Sequence, residues 1–210
     1  HWTLFYARGI ALERSNDWPR AEADFRRALE LSPEQPYVLN YLGYTWVERG
    51  ENLAEARRML ERAMALHGRD AACVVTEGVM SNMGVIPPKP GYLNRMQELC
   101  HQYGALFYLD ETVTGFRLAA GGAAEIYGLS PDIVTYGKAL GGGLPMAMIG
   151  GRAEIMAGLE WGKVLHYGTH NAGRLSLHLT KVMLETMLAD NQAGFGRIKD
   201  LGLKMAGEVR

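Results

Sequence analysis

The sequence predicts an α/β core preceded by an all-α helical module, and three observations carry that prediction. First, a pattern of small and large apolar residues repeats near the amino terminus. Gly9, Leu12, Ala21, Phe25 and Ala28 return as Gly43, Trp46, Ala56, Leu60 and Ala63, at shifts of 34 and then 35 residues. Second, short apolar runs alternate with longer helical stretches from residue 71 onward, as in a sheet flanked by helices. Third, Gly141-Gly142-Gly143 closely follows one of those apolar runs, which lets backbone approach another group at the end of a strand.

A repeat of this period marks a stack of helix pairs. Its cause is packing: Gly9 and Gly43, with Ala21 and Ala56, let the helices of each pair approach closely, while Phe25, Trp46 and Leu60 fill the space between. The one-residue difference between the shifts puts an extra residue in the turn near 51–53. The pattern, closed by Pro33, resembles the tetratricopeptide repeat over residues 1–67, which implies a groove for a peptide partner. Two repeats fall short of the minimum of about three for such a stack, so an apolar face must meet the rest of the chain, a second copy or a partner. Arg20, Arg26, Arg27, Arg57, Arg58 and Arg62 interleave with Glu22, Asp24, Glu30, Glu51, Glu55 and Glu61, the pattern of solvated helix faces and not of a nucleic-acid surface.

The second part runs over residues 71–210, where the strand-like Ala72-Cys73-Val74-Val75-Thr76 takes the place of a third helix pair. No Ser/Pro-rich linker separates the parts, which fits either direct packing of the last repeat helix on the sheet or a recombination of two gene pieces. The run Ala105-Leu106-Phe107-Tyr108-Leu109 is short, apolar and aromatic, the composition of a strand buried on both faces of a parallel sheet. Strands are expected near 72–77, 105–110, 132–136 and 146–150, and helices near 90–103, 152–159, 173–189 and 195–209.

Two residues in this part carry chemistry. Asp110 ends the apolar run, in Asp110-Glu111-Thr112-Val113-Thr114-Gly115-Phe116-Arg117, and Lys138 stands 28 residues later in Gly137-Lys138-Ala139-Leu140-Gly141-Gly142-Gly143-Leu144-Pro145. A lysine amine and a carboxylate that keeps a pyridine nitrogen protonated are the two groups pyridoxal phosphate chemistry needs. Ligand sites in open α/β sheets lie outside the carboxyl ends of strands, where Asp110 falls. Each residue also has a plainer reading: Asp110 as a helix cap or turn residue, Lys138 as a solvated surface lysine. A phosphate-loop reading of Gly137-Lys138 fails, because the earlier glycine is missing and Ala139 stands where Ser or Thr would hold magnesium.

Taken together, these two segments resemble the signature of class III pyridoxal-phosphate-dependent aminotransferases, of the glutamate-1-semialdehyde aminomutase kind. The loop Glu77-Gly78-Val79-Met80-Ser81-Asn82-Met83-Gly84 is similar to theirs, with Asn82 in the aminomutase-like version. The resemblance implies part of a fold type I large domain. It implies pyridoxal 5'-phosphate bound through a Lys138 Schiff base, Asp110 at the ring nitrogen, and Thr112 and Asn82 beside the cofactor. In His166-Tyr167-Gly168-Thr169-His170-Asn171-Ala172, it implies that Thr169 reaches the cofactor phosphate of a neighbouring subunit. Thr169 also reads as a helix-capping threonine. Two departures stand out: the family usually has Pro where Gly78 is, which loosens the loop after the strand, and Val where Thr112 is. The family's upstream phosphate loop, its ring-stacking aromatic and most of its small domain have no counterpart in these residues.

Composition narrows the remaining classes. A net charge of −1 excludes strong electrostatic attraction to nucleic acid or an anionic membrane. Cys73 and Cys100 lack CxxC spacing and read as buried thiols of a reducing, cytoplasmic compartment. The six histidines show no metal-binding spacing, so no metal is assigned. No signal peptide or membrane span is evident, and a first residue of His1 reads as a piece of a longer chain. The expected function is amino-group transfer between a small amine or amino acid and a keto or aldehyde substrate, by a homo-oligomer. The alternative is a non-catalytic repeat protein that keeps the second part as scaffold.

Overall fold

A computed structural model describes residues 1–159, 163–169, 171 and 173–208. The chain divides into two compact units, His1–Ala72 with Gln102–Ala105, and Cys73–His101 with Leu106–Arg210.

The first unit is built on four helices: α1 (Trp2–Arg14), α2 (Trp18–Leu31), α3 (Pro36–Arg49) and α4 (Leu53–His67). Proline opens α3 and follows the first residue of α2, where its missing N–H and fixed φ cost nothing. α1 packs on α2, α3 on α4, and α2 joins the pairs. Trp18, Ala21, Phe25, Ala28, Val38, Leu42, Trp46 and Ala56 form the buried core.

The two glycines of the repeat are not equivalent. A Cβ added to Gly9 would lie 2.6 Å from the Phe25 ring, whereas one added to Gly43 would meet only ordinary contacts at 3.5 Å. Leu60 is half-buried, and Met64 one turn later is buried instead. The turns at 15–17 and 50–52 have equal length, so the extra residue lies at the end of α3, not in the turn.

Polar ties join the helices around that core. The Trp46 indole donates to Glu22 at 3.1 Å, and Arg26 both pairs with Glu22 at 2.8 Å and lies over the Trp46 ring at 4.8 Å. Trp18 repeats the device: its indole donates to Glu51 at 3.0 Å, while Arg49 pairs with Glu51 and lies over the Trp18 ring at 5.1 Å. Asp24, expected on a solvated face, is buried and accepts two hydrogen bonds from Arg8, at 2.6 and 2.7 Å. That hydrogen bonding holds the Asp24 carboxyl below its usual range despite its burial.

The second unit is a four-stranded sheet of β1 (Cys73–Glu77), β2 (Leu106–Glu111), β3 (Ile133–Tyr136) and β4 (Met148–Gly151), in spatial order 1-2-3-4. β1, β2 and β3 are parallel and β4 is antiparallel. Helix α5 (Tyr92–Tyr103) crosses from β1 to β2, and α6 (Gly122–Tyr127) stands between β2 and β3. The short α7 (Ala153–Met156) follows β4, and α8 (Arg174–Glu208) runs 35 residues.

β2 is not buried on both faces: Phe107, Leu109 and Glu111 are buried and the alternate residues half-buried. The helices expected at 173–189 and 195–209 are one, because Gly194 lies against Met187 and Phe195 is buried, contacts that outweigh the weak helix propensity of Gly194 and Gly196. Cys73 is exposed on edge strand β1, contrary to expectation, while burial pushes the Cys100 thiol up to about 11. Among the described residues no helix is long and apolar enough to cross a membrane.

Candidate active site

Parallel pairing places three residues side by side at the carboxyl ends of the strands. Asp110, next to last in β2, lies opposite Glu77 of β1 and Thr135 of β3. One Asp110 oxygen, Oδ1, accepts the Thr112 N–H at 2.8 Å and the Thr135 hydroxyl at 3.1 Å. The Tyr108 hydroxyl donates in turn to Thr135 at 3.3 Å. Burial raises the Asp110 pKa, but hydrogen bonds from Thr112 and Thr135 and the positive charge of Lys138 outweigh it and hold the carboxyl below its usual range.

The two plain readings of Asp110 separate in this geometry. The bond to the Thr112 N–H is an Asx-type turn, so a turn role is present. Helix capping belongs to the next residue. Glu111 is fully buried, accepts the N–H groups of Ala123 at 3.0 Å and Ala124 at 2.7 Å at the start of α6, and accepts the Thr114 hydroxyl. A carboxylate there satisfies amides that the helix itself leaves unpaired.

Lys138 opens a 3-10 turn, Lys138–Gly141, two residues beyond β3. Its side chain is exposed and its backbone is left-handed, with φ +45°, a conformation that costs a non-glycine residue about 1–2 kcal/mol. Gly142, with φ +57°, closes the turn at the other end. The neighbours hold it: Leu140 and Gly141 are buried, and the N–H groups of Leu140 and Gly142 donate to Gly137 and Ala139 at 3.0 Å each. A Cβ on Gly137 would lie 3.2 Å from the Thr112 methyl, so Thr112 abuts the backbone just ahead of Lys138.

Asp110, Thr112, Thr135 and Lys138 are thus brought to one place by the ends of β2 and β3. Asn82, in the 3-10 turn Ser81–Met83, and Thr169 are exposed, and neither has a hydrogen bond to those four among the described residues. His170 and Ala172 of the Thr169 segment lie outside the described residues. Gly78 does not loosen its loop. It is buried, and a Cβ there would overlap that of Ala123. Thr135 carries no chemical signal of its own in the sequence, and its place one residue from the end of an apolar run becomes informative only once its strand pairs with β2.

Comparisons with known proteins bear on these same segments. The family described as Aminotransferase class-III matches residues 14–202. Glutamate-1-semialdehyde 2,1-aminomutase of Myxococcus xanthus is 55% identical over 97 residues, covering 46% of this chain and 22% of that protein. The enzyme of the same name from Nitratidesulfovibrio vulgaris is 43% identical over 131 residues, 62% of this chain and 31% of the relative. Among solved structures, an omega-transaminase from Sphaerobacter thermophilus superimposes with a TM-score of 0.65 at 28% identity, over 70% of this chain and 34% of that one. The chain therefore spans about a third or less of the length of these relatives.

Proposed function

Because the chain belongs to the class III aminotransferases, we propose that it carries out pyridoxal-phosphate-dependent amino-group transfer, as a transaminase or an aminomutase. The single observation that supports this most is the joint placement of Asp110 and Lys138: a carboxylate at the end of β2 and a lysine on the turn two residues beyond the paired strand β3, with Thr112 against the backbone just ahead of that lysine. The donor set fits the cofactor. A carboxylate held ionised by Thr112 and Thr135 suits a protonated ring nitrogen, and a lysine stands on the neighbouring turn.

When bound, pyridoxal phosphate supplies an aldehyde that condenses with amines and a protonated ring that draws electrons from the substrate carbon. In this reading Lys138 Nζ would hold the cofactor covalently and would be the group placed to carry a proton at the substrate carbon. Asp110 would keep the ring nitrogen protonated, and Thr112 would stand beside the cofactor. Asn82 would also stand beside the cofactor, and Thr169 would bind its phosphate across a homo-oligomer interface. The substrates are a small amine or amino acid and a keto or aldehyde partner. The four helices of the first unit form a tetratricopeptide-like module, with the chain divided at residues 67 and 71, and offer a groove to a peptide; the period and the packing of α1 on α2 and α3 on α4 support that reading.

The test is cofactor uptake. Incubation with pyridoxal phosphate should give a yellow protein, and borohydride followed by peptide mass mapping should place the adduct on Lys138. An adduct confined to Lys89, Lys163 or Lys181, or no uptake at all, overturns the proposal.

A further inference from the structure

We infer that the Thr180–Met183 stretch of α8 is a positioning device for Lys138, holding the lysine turn in its left-handed shape. The inference rests on the functional reading only in what the lysine is held for; the holding itself is a statement about this chain.

Three observations converge on it. The first is strain. Lys138 has φ +45° where glycine would be at ease, and such a conformation persists only where the surroundings over-determine it. The turn's own hydrogen bonds are only those of a single 3-10 turn, with Leu144 N–H adding one to Gly141 at 3.0 Å, so something else must contribute. The second is contact. α8 packs against the turn Lys138–Gly141, and the position a Cβ would take on Gly142 lies 3.5 Å from Cβ and Cγ of Met183. Met183 thus seats on the residue that closes the turn.

The third is the pattern of burial on α8. Ser176, Thr180, Met183, Leu184 and Met187 are its covered residues through this stretch, whereas Leu175, Leu177, Leu179, Val182 and Leu188 are exposed. That spacing is one helical stripe, and the stripe carries Thr180 one turn ahead of Met183, on the same side of the helix. The Thr180 hydroxyl is buried with no hydrogen-bond partner among the described residues, an arrangement that costs stability and that a valine of the same shape would avoid. We assign that unpaired hydroxyl to the side of α8 that meets the turn, one helical turn from Met183. α8 therefore braces the turn at Gly142 through Met183, with Thr180 on the same side of the helix, and the backbone that carries Lys138 is held through that contact.

The consequence is a coupling between residues 183 and 138 that a merely structural methionine would not show. Amide hydrogen exchange on the cofactor-free full chain reads it. Met183→Ala should speed exchange at Leu140 and Gly142 by about tenfold, with β2 unchanged, as expected of a local opening. Met183→Leu, which refills the space, should restore the slow exchange. In a Lys138→Gly background the strain is absent, so Met183→Ala should have a much smaller effect on the turn. Equal acceleration in both backgrounds, acceleration spread over the whole sheet, or none, overturns the inference. Should Met183→Ala not fold, Thr180→Val gives the same comparison: folding stability kept or raised, but exchange in the turn altered and less pyridoxal phosphate fixed on Lys138 by borohydride. An unchanged turn in Thr180→Val overturns the part assigned to the hydroxyl. Failure of the unmutated chain to take up pyridoxal phosphate would sink the functional reading and leave the exchange result standing, so the two can fail separately.

Discussion

Thr135 donates its hydroxyl to the Asp110 carboxylate at 3.1 Å, across the β2–β3 pairing that sets the two residues opposite each other. The bond makes Thr135 part of the site although it carries no chemistry of its own. It helps keep Asp110 ionised, and it occupies the oxygen that already accepts the Thr112 N–H.

Asp110 and Thr135 together give a pH prediction. The folded Asp110 pKa is lowered, against burial, by Thr112, Thr135 and Lys138, so its ionised form stabilises the fold above the ordinary carboxylate value of about 4. That contribution is lost as pH falls through the lowered folded value. Thr135→Val removes one of the bonds to the carboxylate, at about 1 kcal/mol, and moves the folded value upward. Acid unfolding of the variant, followed by circular dichroism, should start at a higher pH than that of the unmutated chain. Asp110→Asn should keep bound cofactor far better than turnover, since a neutral amide cannot hold the ring nitrogen protonated; equal rates for the two proteins would reduce Asp110 to a turn residue.

Lys138 allows a test of its own backbone. Both Lys138→Ala and Lys138→Gly remove the amine and should abolish any covalent cofactor. Alanine keeps the left-handed strain and glycine relieves it, which offsets glycine's larger entropy in the unfolded chain. Thermal denaturation should find the glycine variant equal to or more stable than the alanine variant, by up to about 1 kcal/mol. A clearly less stable glycine variant would contradict the φ of +45°.

Glu111 should prove more important to stability than its neighbour. Glu111→Ala leaves the buried amides of Ala123 and Ala124 and the Thr114 hydroxyl without their acceptor, a loss of about 3 kcal/mol or more. Glu111→Gln keeps one acceptor oxygen and should cost less. Chemical denaturation of the two variants checks the order.

In the first unit the two repeat glycines should respond in opposite directions. Gly9→Ala drives a methyl into the Phe25 ring and should destabilise by about 1–3 kcal/mol. Gly43→Ala meets only ordinary contacts and should be neutral or stabilising, by up to about 1 kcal/mol, through helix propensity. Melting curves followed by helical signal distinguish the two.

What the sequence determined by itself is what depends on near neighbours. The four strands and the four amino-terminal helices follow from apolar runs, proline placement and repeat period, each a local pattern. Asp110 and Lys138 stand out through a strand end and a glycine-rich turn, also local, together with the family resemblance.

Only the tertiary structure decided which groups meet across the chain. Thr135 joins Asp110 because two strands far apart in sequence pair in register. Glu111, not Asp110, caps α6 because the helix start folds back onto the end of β2. Gly9 is required and Gly43 is not, although both hold the same place in the repeat, because a ring lies against one and a backbone carbonyl at ordinary distance against the other. Gly78 is a close-packing residue because Ala123 lies on it, and α8 runs unbroken past two glycines because Phe195 is buried there. The left-handed backbone of Lys138 has no sequence signal at all: strain at a non-glycine residue is maintained by the contacts around it, and those contacts come from the end of β3, the glycine turn and a helix more than thirty residues away.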